Sequence, residues 1–141
     1  MILLLDTNVV SALIRRELES SVSGWLDEQD EAQLYTTVIT IHEMRYGIEK
    51  LPAGRRRTTL ARSLDDFLSQ GFHNRILDLD FAACRASGEI QAKRSRIGKP
   101  INLADCLIAG IAVSSSAKIV TRDVTDFAGL DLDIIDPWSP A

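Results

Sequence analysis

Two apolar runs bracket the chain, and each ends at an acid. Met1-Ile2-Leu3-Leu4-Leu5 stops at Asp6, and Lys118-Ile119-Val120-Thr121-Arg122 leads into Asp123. Short continuous apolar runs are the pattern of parallel strands covered on both faces, because a half-solvated strand alternates instead. Leu34 to Val38 and Arg75 to Leu79 predict two further strands, and Asp133-Ile134-Ile135 a short one near the end. Between these segments the period becomes helical. Ile41, Met44, Ile48 and Leu51 share one face; Leu60, Leu64, Phe67 and Leu68 form a second stripe closed by Gly71, with Pro52-Ala53-Gly54 as the turn between the two helices.

The second half reads the same way. Asp80 caps a predicted helix through Phe81, Ala86 and Ile90 to about Arg96, and Gly98-Lys99-Pro100 stops it. Asn102 caps the next, Leu103 to about Ser114. That helix is apolar or small on every side except at Asp105, which predicts a central, buried position. One and two turns on, Ala109 and Ala112 leave room for a close neighbour. Strands alternating with helices imply βαβ units with right-handed crossovers, hence an α/β fold. At 141 residues, with no internal repeat, low-complexity segment or linker, the expectation is one domain over residues 1–141.

In an open parallel sheet, ligands bind beyond the carboxyl ends of the strands. Asp6 and Asp123 are placed there by the strand reading. Asp105 lies in the first turn of its helix, and Glu43 lies near the start of the helix after the second strand, so both can reach that edge. Each acid also has a purely structural reading. Asp6 or Asn8 can cap the first helix, Glu43 can close a capping box with Thr40, Asp105 sits where a negative charge favours the helix dipole, and Asp123 and Asp126 fall in a turn. Four separate caps would not explain why distant elements all carry acids at one edge. Carboxylates gathered in apolar surroundings repel unless protons or a cation neutralise them, so a divalent metal is the first hypothesis. Oxygen-only ligands select hard cations, Mg²⁺ or Mn²⁺ before Zn²⁺.

Other chemistries are missing their residues. His42-Glu43 begins like a zinc H-E-x-x-H motif, but Tyr46 stands at the second histidine. There is no G-x-G, no P-loop and no G-x-S-x-G elbow. Cys84 and Cys106 lie in apolar helical patterns and read as buried thiols rather than a disulfide. No apolar stretch approaches the ~20 residues that span a bilayer, and a cytoplasmic protein is expected. The net charge of −4 argues against bulk electrostatic binding of nucleic acid. It leaves room for a local basic rim. Arg55-Arg56-Arg57, Arg62 and the group Lys93, Arg94, Arg96 and Lys99 are either solvated helix faces or backbone contacts.

With the acids in this order, the chain resembles the VapC-type toxins of the PIN-domain ribonucleases. The resemblance rests on Leu3-Leu4-Leu5-Asp6-Thr7-Asn8, on Glu43-Met44-Arg45-Tyr46-Gly47, on Ala104-Asp105-Cys106-Leu107-Ile108-Ala109, and on Val120-Thr121-Arg122-Asp123 with Asp126-Phe127. It implies a PIN-like three-layer fold with a central, mostly parallel sheet of four to five strands flanked by helices. It also implies a Mg²⁺- or Mn²⁺-dependent endoribonuclease with Asp6, Glu43, Asp105 and Asp123 as the catalytic acids. Asp6, Asp105 and Asp123 would hold the metal, Asn8 and Thr121 would support them, and Asp126 could share or replace the role of Asp123. Arg45, Arg55, Arg56, Arg57, Arg94, Arg96 and Lys99 are the expected RNA contacts. As partners, the resemblance implies RNA, a cognate antitoxin that blocks the acidic site, often with a basic side chain, and a second copy in a homodimer; DNA would be reached only through the antitoxin, and no membrane is involved.

Two other readings share parts of this pattern. A haloacid-dehalogenase-type phosphotransferase also begins with an apolar strand and Asp, but needs a second Asp at position 8, which is Asn8. A non-catalytic binding module could keep the acids for metal-stabilised structure.

Overall fold

The computed structural model describes residues 1–139. Its elements are, in order, β1 (Leu3–Leu5), α1 (Thr7–Arg15), α2 (Ser20–Asp27), β2 (Leu34–Thr37), α3 (Val38–Glu49), α4 (Arg55–Asp66) running into a π-helical turn (Phe67–Gly71), β3 (Ile76–Leu77), α5 (Phe81–Arg96), α6 (Leu103–Ser114), β4 (Lys118–Val120), α7 (Val124–Phe127) and β5 (Ile134–Ile135). The predicted strands are all present, each trimmed at its ends to the residues that pair. They form one five-stranded sheet in the order β3-β2-β1-β4-β5. Every pairing is parallel.

Strand alternation divides the apolar residues between two cores. Leu3, Leu5, Leu34, Ile76, Val120 and Ile135 face one side, where Val9, Val10, Met44, Ile48, Leu60 and Leu64 cover them. Leu4, Tyr35, Leu77, Ile119 and Ile134 face the other, against Ala83, Ile90, Ile108, Ile111, Ala112 and Phe127. The result is three layers, with α1, α3 and α4 on one face and α5, α6 and α7 on the other. Leu4, Leu5 and Ile119 are fully buried, as continuous apolar runs require.

The strand order creates the feature that positions the site. From the central β1 the chain builds outward through β2 and β3, then crosses back to place β4 on the other flank of β1. The β1/β4 junction is therefore the topological switch point, where connections leave in opposite directions and open a crevice beyond the strand ends. Asp6 follows β1 and Asp123 follows β4 at that crevice.

Helix α6 is as central as its sequence predicted, and six of its residues from Cys106 to Ala112 are buried. Its closest neighbour is α5, and the contact is made at Gly110, adjoining the expected Ala109 and Ala112. A Cβ built on Gly110 would stand 2.6 Å from the Ala83 carbonyl oxygen and 2.7 Å from Ser87 Cβ. The two thiols separate, contrary to expectation. Cys106 is buried and its thiol donates to the Ser87 carbonyl at 3.1 Å, whereas Cys84 is exposed because the opposite face of α5 is turned to solvent. The capping box expected for Thr40 and Glu43 is also absent, because α3 starts three residues earlier and Thr37 accepts from the Thr40 amide at 3.1 Å. Among the described residues no helix is long and apolar enough to cross a membrane.

The Gly110 contact predicts opposite outcomes for the same substitution at two glycines. Gly110→Ala, which meets backbone, is expected to destabilise by about 1–3 kcal/mol. Gly47→Ala, at an α3 position with nothing within 4 Å, should stabilise by roughly 0.5–1 kcal/mol. Urea unfolding of both variants measures this, and a Gly110→Ala protein as stable as the native chain would contradict the packing described.

Candidate active site

Asp6 occupies the N-cap position of α1 but does not act as a side-chain cap. Its extended backbone lets its carbonyl accept from Val9 and Val10, and its side chain makes no cap hydrogen bond. The register explains where the carboxylate goes instead. Leu5 pairs with Val120 and the Asp6 amide donates to the Val120 carbonyl at 2.9 Å, so the next residue of each strand, Asp6 and Thr121, lie side by side. The Thr121 hydroxyl donates to Asp6 Oδ2 at 2.8 Å. Its two lone pairs are taken by the Asp123 amide at 3.0 Å and Asn8 Nδ2 at 3.3 Å. With both acceptor positions occupied, the proton of this hydroxyl is directed to Asp6.

Asn8 ties the same group to the last acid, donating to Asp123 Oδ2 at 3.1 Å and accepting from the Arg122 amide at 3.3 Å. The opposite flank is built by a residue that pattern reading did not single out. Thr7 donates to Glu43 Oε1 at 2.7 Å, and its oxygen lies 3.0 Å from the Thr40 hydroxyl. Because the Thr7 proton is engaged by Glu43, Thr40 supplies the hydrogen to Thr7. Thr7 and Glu43 are distant in sequence, so only tertiary structure could reveal the pair.

Asp105 is held by its own cap. Asn102 Oδ1 accepts from the Asp105 amide at 2.8 Å while Asn102 Nδ2 donates to Asp105 Oδ2 at 2.8 Å. The structural reading of Asp105 as a charge at the positive end of α6 is thus correct. It is also incomplete, because the carboxylate lies within electrostatic reach of Glu43, Asp123 and Asp126 as well as Asp6.

Burial pushes the Asp6 carboxyl up to about 6; the Thr121 hydroxyl and the Thr7 amide oppose that rise, and the charges of Asp105 and Asp123 add to it. Asp105 is raised as well, first by burial, against the opposing Asn102 amide, with Asp126, Glu43 and Asp123 adding repulsion. Asp6 Oδ1 is buried with no hydrogen-bond partner. An orphaned carboxylate oxygen among other acids is a costly arrangement that a hard cation would relieve. Among the described residues, no three His, Cys, Asp or Glu groups stand close enough to enclose an ion by themselves. The site is an open edge rather than a cage. That form suits Mg²⁺ or Mn²⁺, since Mg²⁺ is commonly held by one or two carboxylates and keeps several waters.

The family model for the PIN domain matches residues 3–131. The chain belongs to the PIN-domain family. It is 38% identical to VapC ribonuclease Y4jK of Sinorhizobium fredii, over 99% of both chains. It is 32% identical to Toxin FitB of Neisseria gonorrhoeae, over 96% of this chain and 98% of the relative. The structure of FitAB bound to IR36 DNA fragment superimposes with a TM-score of 0.90 at 31% identity, covering 99% of this chain and 98% of that one. The expected PIN fold, three layers around a parallel sheet, is the fold observed.

The basic residues of this PIN domain are distributed less simply than their sequence runs imply. Arg45 pairs with Asp65 on α4 at 2.9 Å and Arg57 with Glu49, the last residue of α3, at 2.7 Å. Arg55 and Arg56 line a cleft with Arg15 and Glu17. Arg15 is the last residue of α1, so this cleft lies about 13 Å along that helix from the Asp6 end, at 1.5 Å per residue. Arg45 and Arg57 are thus engaged in exposed ion pairs, while Arg55 and Arg56 stand toward the far end of α1 from Asp6. Arg94 donates to the backbone carbonyls of Lys99 at 2.7 Å and Asp126 at 2.9 Å. Arg96 and Lys99 are exposed, and the Lys99 carbonyl shares the Arg94 guanidinium with Asp126. Trp25 and Trp138 pack partly buried against the α1/α3/α4 core, and Arg122 lies over the Trp138 ring at 5.3 Å.

The raised Asp6 carboxyl fixes a pH dependence. The unfolded chain releases this proton near the ordinary 3.8, while the native chain keeps it until about 6. Between those values the native state binds more protons, so stability falls as pH rises, and above the window a penalty on the order of 3 kcal/mol remains. Asp6→Asn keeps an acceptor for Thr121 and removes the charge. In metal-free buffer it should be more stable than the native chain at pH 8, by about 1–3 kcal/mol, and nearly equal to it at pH 4. Denaturation at the two pH values tests this, and a difference that does not change with pH would point to another cause.

Proposed function

We propose that the chain is a metal-dependent endoribonuclease, the toxin of a VapBC-type toxin-antitoxin module, hydrolysing RNA phosphodiester bonds in the cytoplasm. The observation that carries the reading is the buried, unpartnered Oδ1 of Asp6 within electrostatic reach of Asp105 and Asp123. A set of oxygen donors on an open edge fits Mg²⁺ or Mn²⁺. Asp6, Asp105 and Asp123 would share the ion with bound waters rather than enclose it, and Asp126, whose charge also acts on Asp105, adjoins them. Glu43, fixed by Thr7, completes the catalytic set. When bound, such an ion lowers the pKa of a coordinated water and offsets charge building on the phosphoryl oxygens.

The protein's own contribution is orientation. Thr121 keeps one Asp6 oxygen occupied and leaves the other available, Asn8 fixes Asp123 relative to Thr121, and Asn102 holds Asp105. Thr7 holds Glu43 through Oε1, which fixes that carboxylate. Position 8 supplies no second aspartate for phosphoryl transfer, since Asn8 is engaged with Asp123 and Thr121. Likeness to VapC ribonuclease Y4jK supports RNA as substrate, and likeness to FitAB and to VapBC of Salmonella typhimurium, each bound to DNA, supports a cognate antitoxin as partner; a homodimer that reaches DNA only through the antitoxin is part of the proposal. A groove of about 560 Å³ between α3 and α6, lined by Tyr46, Leu103 and Leu107, opens beside Glu43 and offers apolar surface to such a partner.

Asp6→Asn and Asp105→Asn are each expected to lower the rate of Mn²⁺-dependent RNA cleavage by at least a hundredfold while the circular dichroism spectrum stays native. Cleavage of a mixed cellular RNA pool, followed by mapping of the new ends, provides the assay. Full activity of either variant would refute the assignment, and a native chain that binds Mn²⁺ yet cleaves no RNA would favour the non-catalytic metal-stabilised module.

A further inference from the structure

The acid after β4 lies on a segment with little structure of its own. Helix α7 is only four residues long, and Asp123 at its cap makes no side-chain cap bond. Asn8 and Thr121 fix its start at Asp123. Beyond that point the Asp126 amide donates to the Asp123 carbonyl at 3.1 Å, the Ala128 amide to the Thr125 carbonyl at 3.4 Å, and Phe127 is fully buried. One further contact comes from a distant helix. Arg94, in the last turn of α5, donates through Nη1 to the Asp126 carbonyl. The same guanidinium is braced at its Nε by the Lys99 carbonyl, and the Lys99 amide returns a bond to the Arg94 carbonyl at 2.9 Å across a turn in which Gly98 takes a φ of +70°. The planar fork of arginine can bridge two carbonyls in this way, and a lysine ammonium on its flexible stem does not reproduce it.

We propose that Arg94 is a positioning residue for the acidic edge, clamping the Asp126 carbonyl so that the segment carrying Asp123 and Asp126 is presented in fixed register to the cation, rather than contacting RNA. This inference rests on the reading of that edge as a cation site. It assigns to Arg94 a role separate from that of Arg96 and Lys99, its neighbours in the same basic run. The guanidinium sits at the carboxyl-terminal end of α7, where its charge also complements the carbonyl dipoles.

The test compares full-length native protein with Arg94→Gln, Arg94→Lys and, as a control elsewhere on α5, Arg85→Gln. Amide hydrogen exchange in the absence of metal should accelerate about tenfold or more across residues 124–129 in both Arg94 variants and stay unchanged along α6 and in the control. Mn²⁺ affinity measured calorimetrically should fall about tenfold in both, the scale seen when a group orienting a metal ligand is lost. Unchanged exchange across 124–129 would overturn the clamp. So would rescue by Arg94→Lys with only the KM for RNA raised in Arg94→Gln, the pattern of a phosphate contact. Native protein that binds no Mn²⁺ would refute the cation reading of the site, while the exchange measurement would still decide whether Arg94 holds the segment. If Arg94→Gln does not fold, Arg94→Lys, which keeps the charge, carries the same comparison.

Discussion

The hydrogen bond from Thr121 to Asp6 is the contact through which the fold and the site depend on each other. It exists because β1 and β4 are paired in parallel register, so that the residues leaving each strand meet. The same pairing forms the topological switch point, the one place in this sheet where a crevice is open by construction. A shift of one residue in that register would send either Leu5 or Val120 into the wrong core as well as separating the pair. The apolar packing that fixes the register thus also fixes the acid, and no separate device is needed to hold Asp6 in place.

The arrangement is electrostatically unfavourable in a way that packing must outweigh. Asp6 is buried, one of its oxygens lacks a partner, and its nearest charged neighbours have the same sign. The surrounding hydroxyls and amides moderate this. Thr121 and Asn102 each stabilise the ionised form of the acid they touch, and burial still prevails at both. Such local cost is expected at sites shaped for function rather than stability.

Much of this was legible in sequence because burial on both faces leaves a continuous apolar run, and an acid that ends such a run is conspicuous. The Leu3–Leu5 and Lys118–Val120 strands, and Asp105 within an otherwise apolar α6, were visible for that reason. Helix α2 was not anticipated, because Ser20-Ser-Val-Ser-Gly-Trp-Leu-Asp27 is rich in poor helix formers and buries only Val22 fully. The start of α3 is ambiguous in sequence because Thr37 and Thr40 are equally good caps, and only the end of β2 distinguishes them. The support of Glu43 by Thr7 joins residues that no local period relates. The arginines were least legible of all. A guanidinium that pairs with Asp65, one that grips two carbonyls and one that faces water are identical letters in a charged helix.

An acidic edge proposed to receive a polyanion poses a charge problem, and the distribution of cations bears on its solution. At physiological ionic strength the field of an exposed charge decays over about 8 Å. The cleft of Arg15, Arg55 and Arg56, at the far end of α1, therefore contributes little to the potential at Asp6, whatever its share of the total charge. Arg96 and Lys99 are different, because they flank a turn whose backbone is bonded through Arg94 to the Asp126 peptide itself. That turn is thus joined to the scaffold that holds the last acids. A net charge of −4 does not by itself oppose the proposed substrate, since the quantity that governs approach is the local field at one edge and not the sum over the chain.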